Sequence, residues 1–167
     1  SYQVVALIIT TFALAGNAAC LIAHNVRYKE SLPCSVRLLI TNTNIANFLM
    51  GIYAGIINIA DGVYRGEYVL REKTWMKGLP CKVAGFLHLL SSHASLLSVL
   101  VISINSFRFR STFLTPRTTA LLCLLIWTVA FVVATIPLTT SSWRFYGETG
   151  ICFPLPASRP DIPGHNY

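Results

Sequence analysis

The chain has 167 residues, 54% hydrophobic and only 11% charged, with a formal net charge of +7. A soluble domain carries about a quarter charged residues; here the deficit gathers into long apolar runs and the mean hydropathy is +0.60, which points to an all-α integral membrane protein. The basic excess does not indicate a nucleic-acid partner, because there is no Lys/Arg run and no basic helix with interleaved aromatics.

The first span is expected over residues 4–24. Thr10, Ala13, Asn17, Cys20 and His24 recur along one face, a pattern that suits close helix packing. A short connector follows, carrying Arg27, Lys29 and Arg37 against Glu30. The second span, 36–60, has Asn44, Asn47, Gly51, Gly55 and Asn58 at helical spacing. Asparagines are costly against lipid, so this face belongs inside a bundle. Asn47 is either a functional polar centre or a plain interhelical hydrogen bond.

Residues 61–80 leave the membrane as an outer loop in which acids and bases alternate around Trp75. That tryptophan is an interface anchor or a packing post; its charged surroundings favour the second. The third span, 81–107, has no charged residue after Lys82 and would reach roughly 40 Å as a helix, enough to cross the bilayer. His88, Ser92, Ser95, Ser98 and Asn105 form a polar stripe along it, which marks it as the central helix with neighbours around it. An arginine-rich connector with Arg108, Arg110 and Arg117 leads to the fourth span, 119–138. Cys123, Trp127, Ala130, Ala134 and Pro137 line one face of that span. The tail 139–167 is rich in Pro and Gly and reads as a second outer loop.

Four spans put both ends on one side. Lys/Arg density in the two short connectors makes them cytoplasmic and the N-terminus extracellular. Cys20 and Cys123 then fall within spans and Cys34 in a cytoplasmic connector. Cys81 and Cys152 are the two outer cysteines, where an oxidising exterior favours their pairing over two separate thiols. The chain opens at Ser1 without an initiator Met or a signal peptide, so a piece of a longer protein is expected.

These marks, in this order, resemble the rhodopsin-like (class A) G-protein-coupled receptors over helices one to four and the second outer loop. Gly16-Asn17 resembles the first-helix asparagine, Trp75 and Cys81 the first outer loop and the top of helix three, Trp127 the fourth-helix tryptophan, and Cys152 the outer-loop half-cystine. The stretches FLMGIY (48–53), YRGEY (64–68), GFL (85–87) and YGETGICFPL (146–155) are similar to the leucine-rich-repeat-containing group, relaxin-family peptide receptors above all. The resemblance implies the N-terminal part of a seven-helix bundle in the plasma membrane. It also implies an ectodomain before Ser1, three more helices after Tyr167, a peptide or protein hormone as ligand and a heterotrimeric G protein as partner. The bundle's polar core would hold Asn17, Asn44, Asn47 and Trp127.

Two positions depart from the family's pattern. The family's second-helix aspartate, part of a sodium site, is Asn47 here, within Asn42-Thr43-Asn44-Ile45-Ala46-Asn47. No metal is therefore expected: an amide accepts hydrogen bonds but brings no negative charge. The acidic–basic–aromatic triplet at the foot of helix three, on the G-protein side, is Asn105-Ser106-Phe107. Arg108 lies two steps past the triplet's second place on the helix wheel as counted from Ser106, about 200° away, and is a poor substitute. These losses of charge favour, as an alternative, an atypical or decoy receptor with weak or no coupling. A four-span channel subunit or scaffold is a further alternative that leaves the motif order unexplained. An enzyme is excluded by scattered histidines and the lack of a His/Cys cluster at metal spacing; no cofactor is implied. For His93 an interhelical hydrogen bond is favoured over a pH sensor.

Overall fold

In the computed structural model, the described residues are 2–27, 32–65, 74–75, 78–107, 114–139 and 152. Among them are four long helices: α1 (Tyr2–Ile22), α2 (Cys34–Val63), α3 (Leu79–Phe107) and α4 (Pro116–Thr139). All four are long and apolar enough to cross a membrane. Lys29, Glu30, Glu67, Arg108, Arg110 and the tail apart from Cys152 lie outside the described residues, as do the side chains of Phe107 and Thr139.

The second, third and fourth helices outrun the spans expected of them by a few residues, because a helix ends at a cap and not where the apolar run ends. Pro33 precedes α2, so Cys34, expected in the connector, is its first helical residue. At the far end α2 continues to Val63, and the amide of Tyr64 closes onto the carbonyl of Ala60 at 2.9 Å. Asp61, expected in the outer loop, is therefore in the last turn of α2, where it accepts a hydrogen bond from Gln3 Nε2 of α1 at 2.8 Å. The fourth helix starts three residues before the expected 119. Thr115 Oγ1 accepts the amide of Thr118 at 3.3 Å, and Pro116 takes the first helical position, where a missing N–H costs nothing. Pro137 is buried inside the last turn of α4, and the helix runs only to Thr139.

The end of α1 widens into a π-helical turn, Ala23–Arg27. Asn25 lies in it and donates both to Leu21 O at 2.9 Å and across to Thr41 Oγ1 of α2 at 3.3 Å. A wide turn leaves carbonyls poorly matched, and an amide side chain is well suited to fill the gap.

The central pair is α2 and α3; α1 packs on the free side of α2, and α4 packs on α3 and reaches α2. The middle of the bundle is built from small residues: Ala46, Ala94, Ala130 and Ala134 are fully buried, with Leu90 and Ile126 between them. Without a hydrophobic force to press helices together in lipid, small side chains let backbones approach for van der Waals and polar contact. Phe86 of α3 meets Phe131 of α4 edge-on at 5.7 Å between ring centroids. Large apolar residues such as Phe12, Leu96, Leu121 and Leu124 face outward, as expected of surfaces meeting acyl chains.

The face expected as one polar stripe on α2 serves two neighbours. Gly51 lies against Leu14 of α1 so closely that a Cβ there would sit 2.8 Å from Leu14 Cδ2. Asn58 donates to Thr10 Oγ1 at 2.6 Å and to Ala6 O at 3.3 Å, both on α1. Asn47, one turn from Gly51 and about three from Asn58 toward the other end, turns toward α3 instead.

Candidate functional site

The deepest polar contact joins three helices. Asn42 of α2 is buried, and both ends of its side-chain amide are used. Nδ2 donates to Ser98 Oγ of α3 at 2.6 Å; Oδ1 accepts the indole N–H of Trp127 of α4 at 2.6 Å. The hydroxyl of Ser98, wholly buried, donates in turn to Ala94 O at 2.6 Å. Each polar group at this junction is thereby paired, as a low-dielectric interior requires. The alanines one turn away, Ala46, Ala94 and Ala130, bring the three backbones close enough for these short bonds.

A turn further along, Asn47 Oδ1 accepts the hydroxyl of Ser95 at 2.8 Å. Beyond that, the buried hydroxyl of Ser91 lies 3.2 Å from His88 O and 3.8 Å from the Met50 thioether. His88 Nδ1 is 3.2 Å from Ser92 Oγ, and its ring packs on Tyr53 at 4.8 Å. The rungs thus climb the α2–α3 seam from Asn42 to Tyr53. His93, expected to bond to another helix, instead turns Nδ1 to Leu89 O on its own helix at 2.8 Å.

At the top of the seam Cys81 and Cys152 form a disulfide with Cα atoms 5.4 Å apart. Cys152 has a left-handed backbone, φ 53°. Its half-cystine is buried with Trp75, Ala60 and Ala84, and Trp75 stacks obliquely on Tyr64 at 5.9 Å. Trp75 is the packing post under the crosslink. Cys20, Cys34 and Cys123 are free thiols.

A family model described as 7 transmembrane receptor (rhodopsin family) matches residues 16–162. The chain belongs to that family. A G-protein coupled receptor from Lymnaea stagnalis, GRL101, is 36% identical over 77% of this chain and 12% of its own. Human relaxin receptor 2 is 34% identical over 66% of this chain and 16% of its own. Mouse leucine-rich repeat-containing G-protein coupled receptor 5 is 27% identical over 93% of this chain and 18% of its own. The matches thus span 12% to 18% of the length of these relatives. It is a multi-pass membrane receptor chain of the leucine-rich-repeat-containing group, and the family is one of receptors, not enzymes.

Of the expected core residues in this receptor, Trp127 and Asn47 enter the interhelical network directly. Asn17 is half-buried and donates to Ala13 O of its own helix at 2.6 Å, with no bond across to α2 among the described residues. Asn44 is half-buried and takes no part in the bonds joining α2 to α3 and α4 among the described residues. At the opposite end of α3, Asn105 is half-buried and Ser106 exposed. Two residues that hold the network, Asn42 and Ser91, lie outside the expected polar core. Asn42 is the first residue of the family-like pattern and lies off the polar face of Asn44, Asn47 and Asn58 on α2. Ser91 lies one position from the stripe chosen on α3. A finer signal existed: Asn42 and Ala46 share a face one turn apart, as do Ser91, Ala94 and Ser98.

Proposed function

We propose that the full-length protein is a plasma-membrane hormone receptor with its N-terminus extracellular. Its ligand is a relaxin-like peptide or small protein hormone, and its connectors between α1 and α2 and between α3 and α4 meet a heterotrimeric G protein. The ligand class is supported by the 34% identity to a protein named as a relaxin receptor. The orientation is supported by the position of the Cys81–Cys152 disulfide, at the end of the bundle away from Arg27, Arg37 and Arg117. Binding at the disulfide end would bias how α2, α3 and α4 pack around Asn42, and so change what the other end presents.

A second reading is favoured by the sequence at the foot of α3. Asn105 and Ser106 replace an acid and a base, and Asn47 replaces an acid in α2. In this reading the same fold captures hormone with little or no G-protein engagement. Cyclic AMP and calcium responses of cells expressing the full-length protein, challenged with relaxin-family peptides, separate the two. A ligand-dependent response removes the second reading; saturable peptide binding with no response removes G-protein coupling from the first.

A further inference from the structure

The carboxylate that the rhodopsin family carries at the Asn47 position belongs to a sodium site, and the residues of this bundle do not fit that ion. A hard cation takes several oxygen ligands, with carboxylates supplying the charge. Asn47 Oδ1 is already the acceptor of the Ser95 hydroxyl at 2.8 Å. The other end of the amide is an NH₂ group, a pure donor that presents positive charge to an approaching cation. Next along the seam, Ser91 has the Met50 thioether beside it at 3.8 Å, a soft sulfur and no ligand for a hard ion. Among the described residues the nearest carboxylate on these helices is Asp61, in the last turn of α2. It lies roughly 20 Å along the axis from Asn47 and is bonded to Gln3.

We infer that the α2–α3 seam is a cation-free, neutral hydrogen-bonded joint, that the receptor's conformational balance does not answer to sodium, and that Asn47 is the residue that decides this. A neutral pair needs no counter-ion to survive in a low-dielectric interior, whereas a carboxylate there must be compensated or protonated. An ion that binds one conformation at ten times its dissociation constant shifts the population about tenfold. With Asn47 in place that lever is absent, and the packing around Asn42 and Asn47 sets the resting balance alone. The inference rests on family membership and on the seam, and holds whether or not the receptor couples to a G protein.

Thermal unfolding of the full-length protein in lipid nanodiscs tests this, with sodium chloride compared against N-methylglucamine chloride at equal ionic strength. The wild-type Tm is expected to be the same in both salts. Asn47→Asp is expected to gain a Tm rise of roughly 3 °C or more in sodium. A wild-type protein stabilised by sodium overturns the inference, whichever helix supplies the ligand. An Asn47→Asp protein that folds yet stays indifferent to sodium overturns the role given to Asn47. Should that variant not fold, Ser95→Asp puts the acid on the facing helix and is read in the same way. The readout is unfolding, so failure of hormone signalling leaves it untouched.

Discussion

The indole nitrogen of Trp127 donates to the side-chain oxygen of Asn42 at 2.6 Å, across 85 positions of the chain, while the nitrogen of the same amide donates to Ser98. One buried side chain therefore sets the spacing of three helices at once. Lost bonds in such a place are felt twice, once as the missing contact and once as a polar atom left unpaired.

Trp127→Phe strands Asn42 Oδ1, and Asn42→Ala strands the indole N–H and one Ser98 lone pair. Couplings between side chains in helical membrane proteins average about 0.6 kcal/mol and reach about 1.7 kcal/mol. A double-mutant cycle on this pair is expected near the upper end, about 1–2 kcal/mol, because both partners are held inside the bundle. Unfolding of the four variants in nanodiscs measures it. A coupling near zero would remove the junction from the account of how α4 is held.

The outer crosslink makes a different kind of prediction. Cys81→Ser, Cys152→Ser and the double variant should lose stability to the same extent, about 2–5 kcal/mol, since either change opens the same loop. Non-reducing peptide mapping should return Cys81 and Cys152 as one linked pair and Cys20, Cys34 and Cys123 as alkylated thiols. Unequal single variants would mean that one sulfur has a second task.

Glycines on α1 and α2 divide by what a methyl group would meet. At Gly51 it would lie 2.8 Å from Leu14 Cδ2, so Leu14 must move, and Gly51→Ala is expected to cost about 1 kcal/mol. At Gly55 the nearest atom is Thr10 Cγ2 at 3.8 Å, an ordinary contact, and at Gly16 and Gly62 there is open space. Alanine at those three sites should be neutral or slightly stabilising through helix propensity. Equal losses at Gly51 and Gly16 in a thermal scan would contradict the close approach of α1 and α2.

Topology can be read from a thiol already present. Cys34 is exposed at the first turn of α2, beside Arg37, whose guanidinium lies 4.0 Å from its sulfur. With the N-terminus extracellular, a membrane-impermeant maleimide should leave Cys34 unlabelled on intact cells and label it once the membrane is opened. Mass mapping of the Cys34 peptide reads the outcome, and labelling on intact cells would invert the bundle.

What the sequence made legible is what lipid dictates most strongly. Long uncharged runs located four helices, and amides and hydroxyls within them located the interior. Helix ends were less legible, because Thr115-Pro116 and the Ala60–Tyr64 closure are local hydrogen-bond events that hydropathy does not register. The polar interior was legible in kind but not in partners. Asn44, Asn47 and Asn58 share a stripe on paper, yet Asn58 bonds to α1 and Asn47 to α3, because α2 is flanked on both sides. Asn42 fell outside that stripe, and only the placing of α4 shows why an amide is needed there. His93 shows the same limit: its partner is the carbonyl one turn back on α3, and no spacing rule favours that over a neighbour.

Trp75 and Cys152 occupy one buried patch with Ala60 of α2 and with Cys81 and Ala84 of α3. Cys152 is thus riveted to α3 by sulfur, and the half-cystine shares with the Trp75 indole a patch that also rests on Ala60 of α2. A pull on Cys152 therefore cannot reach α3 without also leaning on α2, and the load falls on the seam where Asn47 and Ser95 meet.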